Sequence, residues 1–183
     1  MNNIFKPHFS ALSLVLDLLS YEDLFDYVKK ERTKVIEALE RLSNEEFTRS
    51  RGLSFDSIKD VFVHTVMNED NWLHYRAAGL GNRTERRLEE FNDLEDVKEY
   101  ITEVDEKTSK LFSRMTDQDL QRDVIRQRRD GGKESYKLEY VLYQLPIETI
   151  HHFGEIFGEF WKMDLRAPYY SYLAYSRDKI ESE

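Results

Sequence analysis

The stretch that most constrains the fold is residues 144–161, QLPIETIHHFGEIFGEFW. Read as helix, at about 100° per residue, it puts Glu148 and His152 one turn apart on one face. That face borders a largely apolar stripe of Leu138, Leu142, Leu145, Thr149, Ile156, Phe160 and Met163, the side on which a helix packs against its neighbours. A carboxylate and an imidazole at i and i+4 are two of the three side chains that a divalent-metal site needs. The third must come from another element, and His64 is the candidate. Pro146 removes the backbone bond to the Leu142 carbonyl, so the helix, expected over 137–163, should kink just before these residues. A helix beginning at Pro146 is the competing reading, disfavoured because Leu145 is a poor N-cap.

The rest of the chain reads as partners for that helix. Ser20 followed by Asp23, Ser43 by Glu46 and Ser57 by Asp60 have the spacing of capping boxes, a hydroxyl three residues ahead of an acid. The first opens a long helix whose apolar positions, Leu24, Phe25, Val28, Val35, Ile36, Leu39 and Leu42, recur at steps of three and four. The second starts a short turn through Phe47. The third launches a long helix that ends near Gly79 and Gly81. Asp93 is placed to cap another, through Val97, Tyr100, Ile101, Val104 and Leu111.

Val124 and Ile125 precede Asp130-Gly131-Gly132, a tight-turn signal, so a small β-hairpin is expected near residues 122–136. Ala167-Pro168 stops the last long helix. The aromatic tail, Tyr169, Tyr170, Tyr172 and Tyr175, should wrap back on the fold, and residues 177–183 should fray. Residues 1–19 are expected to pack across the bundle. The architecture read from the chain is all-α: one domain over residues 1–183, a four-helix bundle with a β-hairpin before the last long helix.

Composition removes several function classes. A formal charge of −9 argues against a general nucleic-acid footprint, and the basic run RDVIRQRR at 122–129 is explained by one exposed strand. No run of about 18 apolar residues is present to span a membrane. The apolar segment 9–19 has one preceding Lys, the internal Asp17 and no cleavage signal, so a leader is rejected and a cytoplasmic location expected. With no cysteine, any metal must be held by His and carboxylate, and any thiol must arrive with a ligand.

His64 with Glu148 and His152 makes a set of two imidazoles and one carboxylate. It suits Zn, Ni, Fe or Mn as divalent ions and leaves a position open for water or substrate. Around His64, the polar Asn68, Glu69 and Trp72 lie within or beside an apolar arc of Ile58, Val61, Phe62, Val66 and Leu73, which points to a polar cavity. Asn68 and Trp72 are placed just outside the ligand set. His151 points about 100° from His152 and is assigned either there or to solvent. Glu69 and Glu155 are the candidate general bases, each with alternatives: orienting a ligand or pairing with Arg32 or Arg76 for Glu69, and a solvated helix face or a place just behind the ligands for Glu155. His8 and His74 are read as packing residues. A bundle without a metal would set His64 more than about 6 Å from the Glu148–His152 pair, far beyond ligand distances.

Two segments carry a family resemblance. One is Ser57-Ile58-x-Asp60-Val61-Phe62-Val63-His64-Thr65-Val66-x-x-Glu69-x-x-Trp72; the other is Glu148-x-x-His151-His152-Phe153-Gly154-Glu155-Ile156, followed by Trp161-x-Met163 and Pro168-Tyr169. In order and spacing they resemble the second and fourth helices of the DinB family, including its thiol-dependent transferases. The resemblance implies an antiparallel four-helix bundle, often dimeric, with a His-rich divalent-metal site whose ligands fall on His64, Glu148 and His152. Glu148 stands where the family usually has His, which substitutes a harder, negatively charged donor.

The expected function is a metal-dependent enzyme that activates a small thiol or water for attack on a small-molecule substrate, as S-transferase or hydrolase. The thiol enters only through the resemblance. A non-catalytic metal- or ligand-binding bundle, stress-linked and acting through a partner, is the alternative. The aromatic residues, 13% of the chain, leave apolar surface that a homodimer would cover.

Overall fold

The computed structural model describes residues 20–182; the expected N-terminal packing segment, 1–19, and His8 lie outside the described residues. Every helix start read from a cap is realised. The Asp23 amide donates to Ser20 Oγ at 3.1 Å, opening α1, Tyr21–Leu39. The Glu46 amide donates to Ser43 Oγ at 3.1 Å, opening the short α2, Asn44–Thr48. The Asp60 amide donates to Ser57 Oγ at 3.0 Å, opening α3, Ile58–Glu69. The Asp96 amide donates to Asp93 Oδ1 at 3.1 Å, opening α4, Leu94–Phe112. Each cap satisfies a backbone donor that the first helical turn leaves without an intrahelical partner.

Beyond Glu69 the rod does not stay α-helical as expected. It widens into a π-helix, Asp70–Arg76, whose wider turn resets which side chains face the neighbouring helix. It closes at Gly79, whose φ of 70° is the left-handed conformation a glycine takes without strain. The charged connector that follows contains one 3₁₀ turn, Leu88–Glu90.

After a one-turn helix α5, Asp117–Leu120, the expected hairpin forms from β1, Asp123–Gln127, and β2, Lys133–Lys137. The strands are antiparallel, with Val124 opposite Tyr136 and Ile125 opposite Ser135. Val124 is buried while its neighbours in β1 are exposed, so the basic run is a solvated strand, as read. The last long helix, α6, runs unbroken over Leu138–Lys162 with Pro146 inside it, which excludes a start at Pro146. The segment expected to fray is largely helical instead: α7, Tyr172–Ser182, is pinned by the Tyr175 hydroxyl, which donates to Asp26 Oδ2 at 2.8 Å. Tyr175 also packs against Tyr27 and Tyr172, so the aromatic tail does wrap back.

The described chain is therefore mostly helical, with one two-stranded sheet. Its main core joins Val35 and Leu39 of α1, Phe62 and Val66 of α3, Ile101 and Val104 of α4, and Phe153, Ile156 and Phe160 of α6. A second cluster, under the hairpin, joins Leu73, Val124, Leu138, Leu142 and Leu145. Among the described residues no helix is long and apolar enough to cross a membrane.

Candidate metal centre

The facing sides of α6 and of α3 with the π-helix that continues it carry two ladders of residues four apart. One holds His64, Asn68, Trp72 and Arg76; the other holds Tyr140, Gln144, Glu148 and His152. The two rods run in opposite directions here, because His64 meets Glu148 and His152 while Trp72 meets Tyr136, just ahead of α6. The helical repeat thus stacks both ladders along one cleft.

At one end of this cleft the three expected ligands converge. His64 Nε2 lies 3.5 Å from Glu148 Oε1, and His152 Nε2 lies 3.9 Å from the same oxygen. One donor atom from each residue falls within 4.8 Å of the other two. Ligands about 2.0–2.2 Å from a common ion sit roughly 3–3.6 Å apart, so modest side-chain closure would bring all three onto one cation. The donor set fits such an ion chemically: two neutral imidazoles and a carboxylate suit Zn, Ni, Fe or Mn. Glu148 is already held in its anionic form. The hydrogen bond and charge of His64, with amide donors from Gln144 and Asn68, draw its carboxyl below the usual range despite burial.

The imidazoles are fixed from behind. Phe55 stacks on His64 with ring centroids 3.7 Å apart and planes 17° from parallel. His152, only 7% exposed, places Nδ1 3.3 Å from Glu155 Oε2. With the Nδ1 proton donated to Glu155, the Nε2 lone pair is left facing Glu148. Glu155 is itself clamped, accepting from the Ser54 amide and hydroxyl, each at 2.7 Å. Burial pushes its carboxyl up, but the Ser54 and His152 bonds outweigh that and hold it below the ordinary range. Ser54 and Phe55 sit in a tight turn closed by backbone bonds between Leu53 and Asp56. Asp56 takes a φ of 76° there, a conformation Asp tolerates better than most residues.

Neither expected base stands free. Glu155 is committed to Ser54 and His152. Glu69 is turned into the interior, where Arg32 Nη2 donates to it at 3.2 Å and the Thr108 hydroxyl donates to its other oxygen. The Arg pairing, one of its readings, is the one realised, because five residues past His64 carry Glu69 about 140° around the helix. Asn68 and Trp72 line the cleft beside the ligands, whereas His151 is exposed, with its ring 5.5 Å from that of His152. His74 is a packing residue, as read, 3.1 Å from the Thr108 hydroxyl. Sequence reasoning missed Ser54, Phe55, Gln144 and Arg76. The four-residue ladder could have found Gln144 and Arg76, but nothing local marks a loop that folds back from outside the helices.

Fold and site together define a class: helical proteins with a His-carboxylate cluster between two long helices. The chain belongs to the DinB family, whose family model matches residues 15–158. Among solved structures it is similar to a DinB-like protein from Bacillus cereus ATCC 10987, with a TM-score of 0.62 at 17% identity, covering 82% of this chain and 95% of that one. It is also similar to a mycothiol-dependent maleylpyruvate isomerase, with a TM-score of 0.51 at 14% identity, covering 75% of this chain and 65% of the isomerase. At these identities the likeness is one of fold. No curated protein sequence matches this chain.

Proposed function

We propose that residues 1–183 form one domain of antiparallel four-helix-bundle type, and that it is a divalent-metal-dependent enzyme. His64, Glu148 and His152 would hold the ion, and a small thiol or water would serve as nucleophile. The observation that carries this reading is the approach of two imidazole nitrogens and a carboxylate oxygen from two helices to within 4.8 Å, at the end of a cleft of about 530 Å³. An ion held there supplies Lewis acidity, lowering the pKa of a nucleophile at its open position. The protein's own part is positional. Glu155 sets the His152 tautomer, Phe55 fixes the plane of His64, and His64, helped by Gln144 and Asn68, draws the Glu148 carboxyl below its usual range.

Between thiol transfer and hydrolysis, the commitments of Glu69 and Glu155 favour the thiol. A hydrolase needs a base or a very large shift, because free water ionises near pKa ~15.7. A thiol starts near ~8.5 and needs far less help. A fold relative named for its dependence on mycothiol supports the same choice.

A homodimer is part of the proposal, supported by exposed apolar side chains such as Trp161, 68% exposed, and Leu173, 81% exposed. Light scattering that reads only the 22.0 kDa of one chain would refute it. Two separate unfolding transitions would contradict the single domain.

The test of the site is metal analysis of the purified protein beside His64→Ala, Glu148→Ala and Glu155→Gln. The expected result is a stoichiometric ion in the native protein, its loss in the two alanine variants, and affinity lowered by roughly 10–100-fold in Glu155→Gln. Equal metal content in native, His64→Ala and Glu148→Ala proteins would overturn the ligand assignment.

A further inference from the structure

The cleft that begins at His64 and Glu148 ends in a charge that has no counter-ion among the described residues. Trp72, Arg76, Arg126, Tyr136 and Tyr140 line its far end. Arg76 lies over the Trp72 ring, 4.4 Å from its centroid, and Tyr136 meets the same ring edge-on at 5.7 Å. Among the described residues the Arg76 side chain makes one hydrogen bond, from Nε to the neutral Asn82 Oδ1 at 3.1 Å, and no ion pair. Its Nη1 is buried without an acceptor. Elsewhere the fold is generous with acids: Arg32, Arg51 and Lys107 each have two carboxylate partners.

A second guanidinium lines the same end. Arg126, on β1, pairs at 3.7 Å with Glu134 on β2 and leans on the same cleft. Burial first, then the charge of Arg126, pushes Arg76 down to about 10. A partly buried cation that repels its neighbour, has no carboxylate partner among the described residues and leaves Nη1 without an acceptor is costly unless something anionic arrives. Arginine presents a planar fork that matches a carboxylate. The walls are aromatic, and Tyr140 is 64% exposed at the mouth. The volume, about 530 Å³, lies within the range of roughly 300–1,000 Å³ in which small-molecule sites fall.

We propose that this cleft binds a flat organic carboxylate. Its anionic group sits on Arg76, with Arg126 reinforcing the field, and its planar body lies against Trp72 and Tyr136. The other end of the molecule then points along the ladders toward His64, Glu148 and His152. This names the substrate class of the enzyme proposed above and rests on that reading for the reacting end, but not for the anion subsite.

The experiment uses Trp161→Phe protein, in which Trp72 is the sole tryptophan, stripped with EDTA and titrated with benzoate or its neutral counterpart benzamide. Benzoate is expected to perturb Trp72 fluorescence and to bind at least about tenfold more tightly than benzamide, with the preference lost in Arg76→Met. Equal binding of the two probes, or a preference that survives Arg76→Met, overturns the proposal. If Arg76→Met does not fold, Arg126→Glu on the exposed strand serves instead: loss of the preference supports the subsite and its retention overturns it. Because this arm contains no metal, its outcome is separate from the metal analysis that tests the ligand set.

Discussion

His152 shows how much of this site is decided one residue at a time. Its Nδ1 faces Glu155 and its Nε2 faces Glu148, so one carboxylate orients the ring and the other is its partner in the proposed cation site. The i+4 spacing of Glu148 and His152 was legible in the sequence because helical geometry alone sets it. The place of Glu155 behind His152 was one of its readings, but nothing in the sequence selected it, since Ser54, from a distant loop, is what turns its carboxylate toward the ring. His74 illustrates a different residue-scale effect. Burial lowers its imidazole to about 4, with Asp70 pulling it up and Lys107 pushing it further down. The folded state therefore takes its proton later than the unfolded chain, whose value is near 6.5. Stability is complete above about pH 6.5 and falls as pH drops toward about 4, by a total on the order of 1–3 kcal/mol. Urea unfolding between about pH 7 and about pH 5 should show this loss in the native protein and a flatter profile in His74→Leu. Identical slopes would show that His74 does not titrate as its burial demands.

At the scale of elements, one guanidinium ties three helices together. Arg32 of α1, 5% exposed, donates to Glu69 of α3 at 3.2 Å and to Asp105 of α4 at 2.9 Å. Glu69 accepts in turn from Thr108, whose hydroxyl meets His74 in the π-helix. Removing Arg32 leaves the buried Glu69 without a cation, while Asp105 keeps Lys29 at 3.2 Å, so Arg32→Leu should cost about 3–5 kcal/mol in denaturant unfolding. Adding Glu69→Leu should return part of that, at least about 1 kcal/mol, because the uncompensated charge is gone. A larger loss in the double variant would show that Glu69 is held by Thr108 rather than by Arg32. Element starts were readable because Ser20, Ser43, Ser57 and Asp93 act locally through their own side chains. The π-helix was not readable, since 70–76 has an ordinary helical composition and its register is set by packing. The helical tail was missed for a related reason: Tyr175 and Asp26, far apart in sequence, supply the anchor.

At the scale of the molecule, α3 and α6 lie side by side as opposed ladders, with an acid-and-imidazole cluster at one end and an unpaired arginine at the other. The order of elements and the hairpin were legible from periodicity and turn residues, and the ligand set followed once two helices were taken as neighbours. The arginine end was not, because Arg76 looks like any surface cation until its lack of an acid partner is seen in three dimensions. The central claim is that one cation sits among three side chains. The direct measurement is anomalous diffraction from crystals of the protein grown with zinc and collected at the zinc edge. A single strong peak is expected about 2.0–2.2 Å from His64 Nε2, His152 Nε2 and a Glu148 oxygen. A fully occupied peak elsewhere with these three side chains apart, or no peak at all, would contradict it.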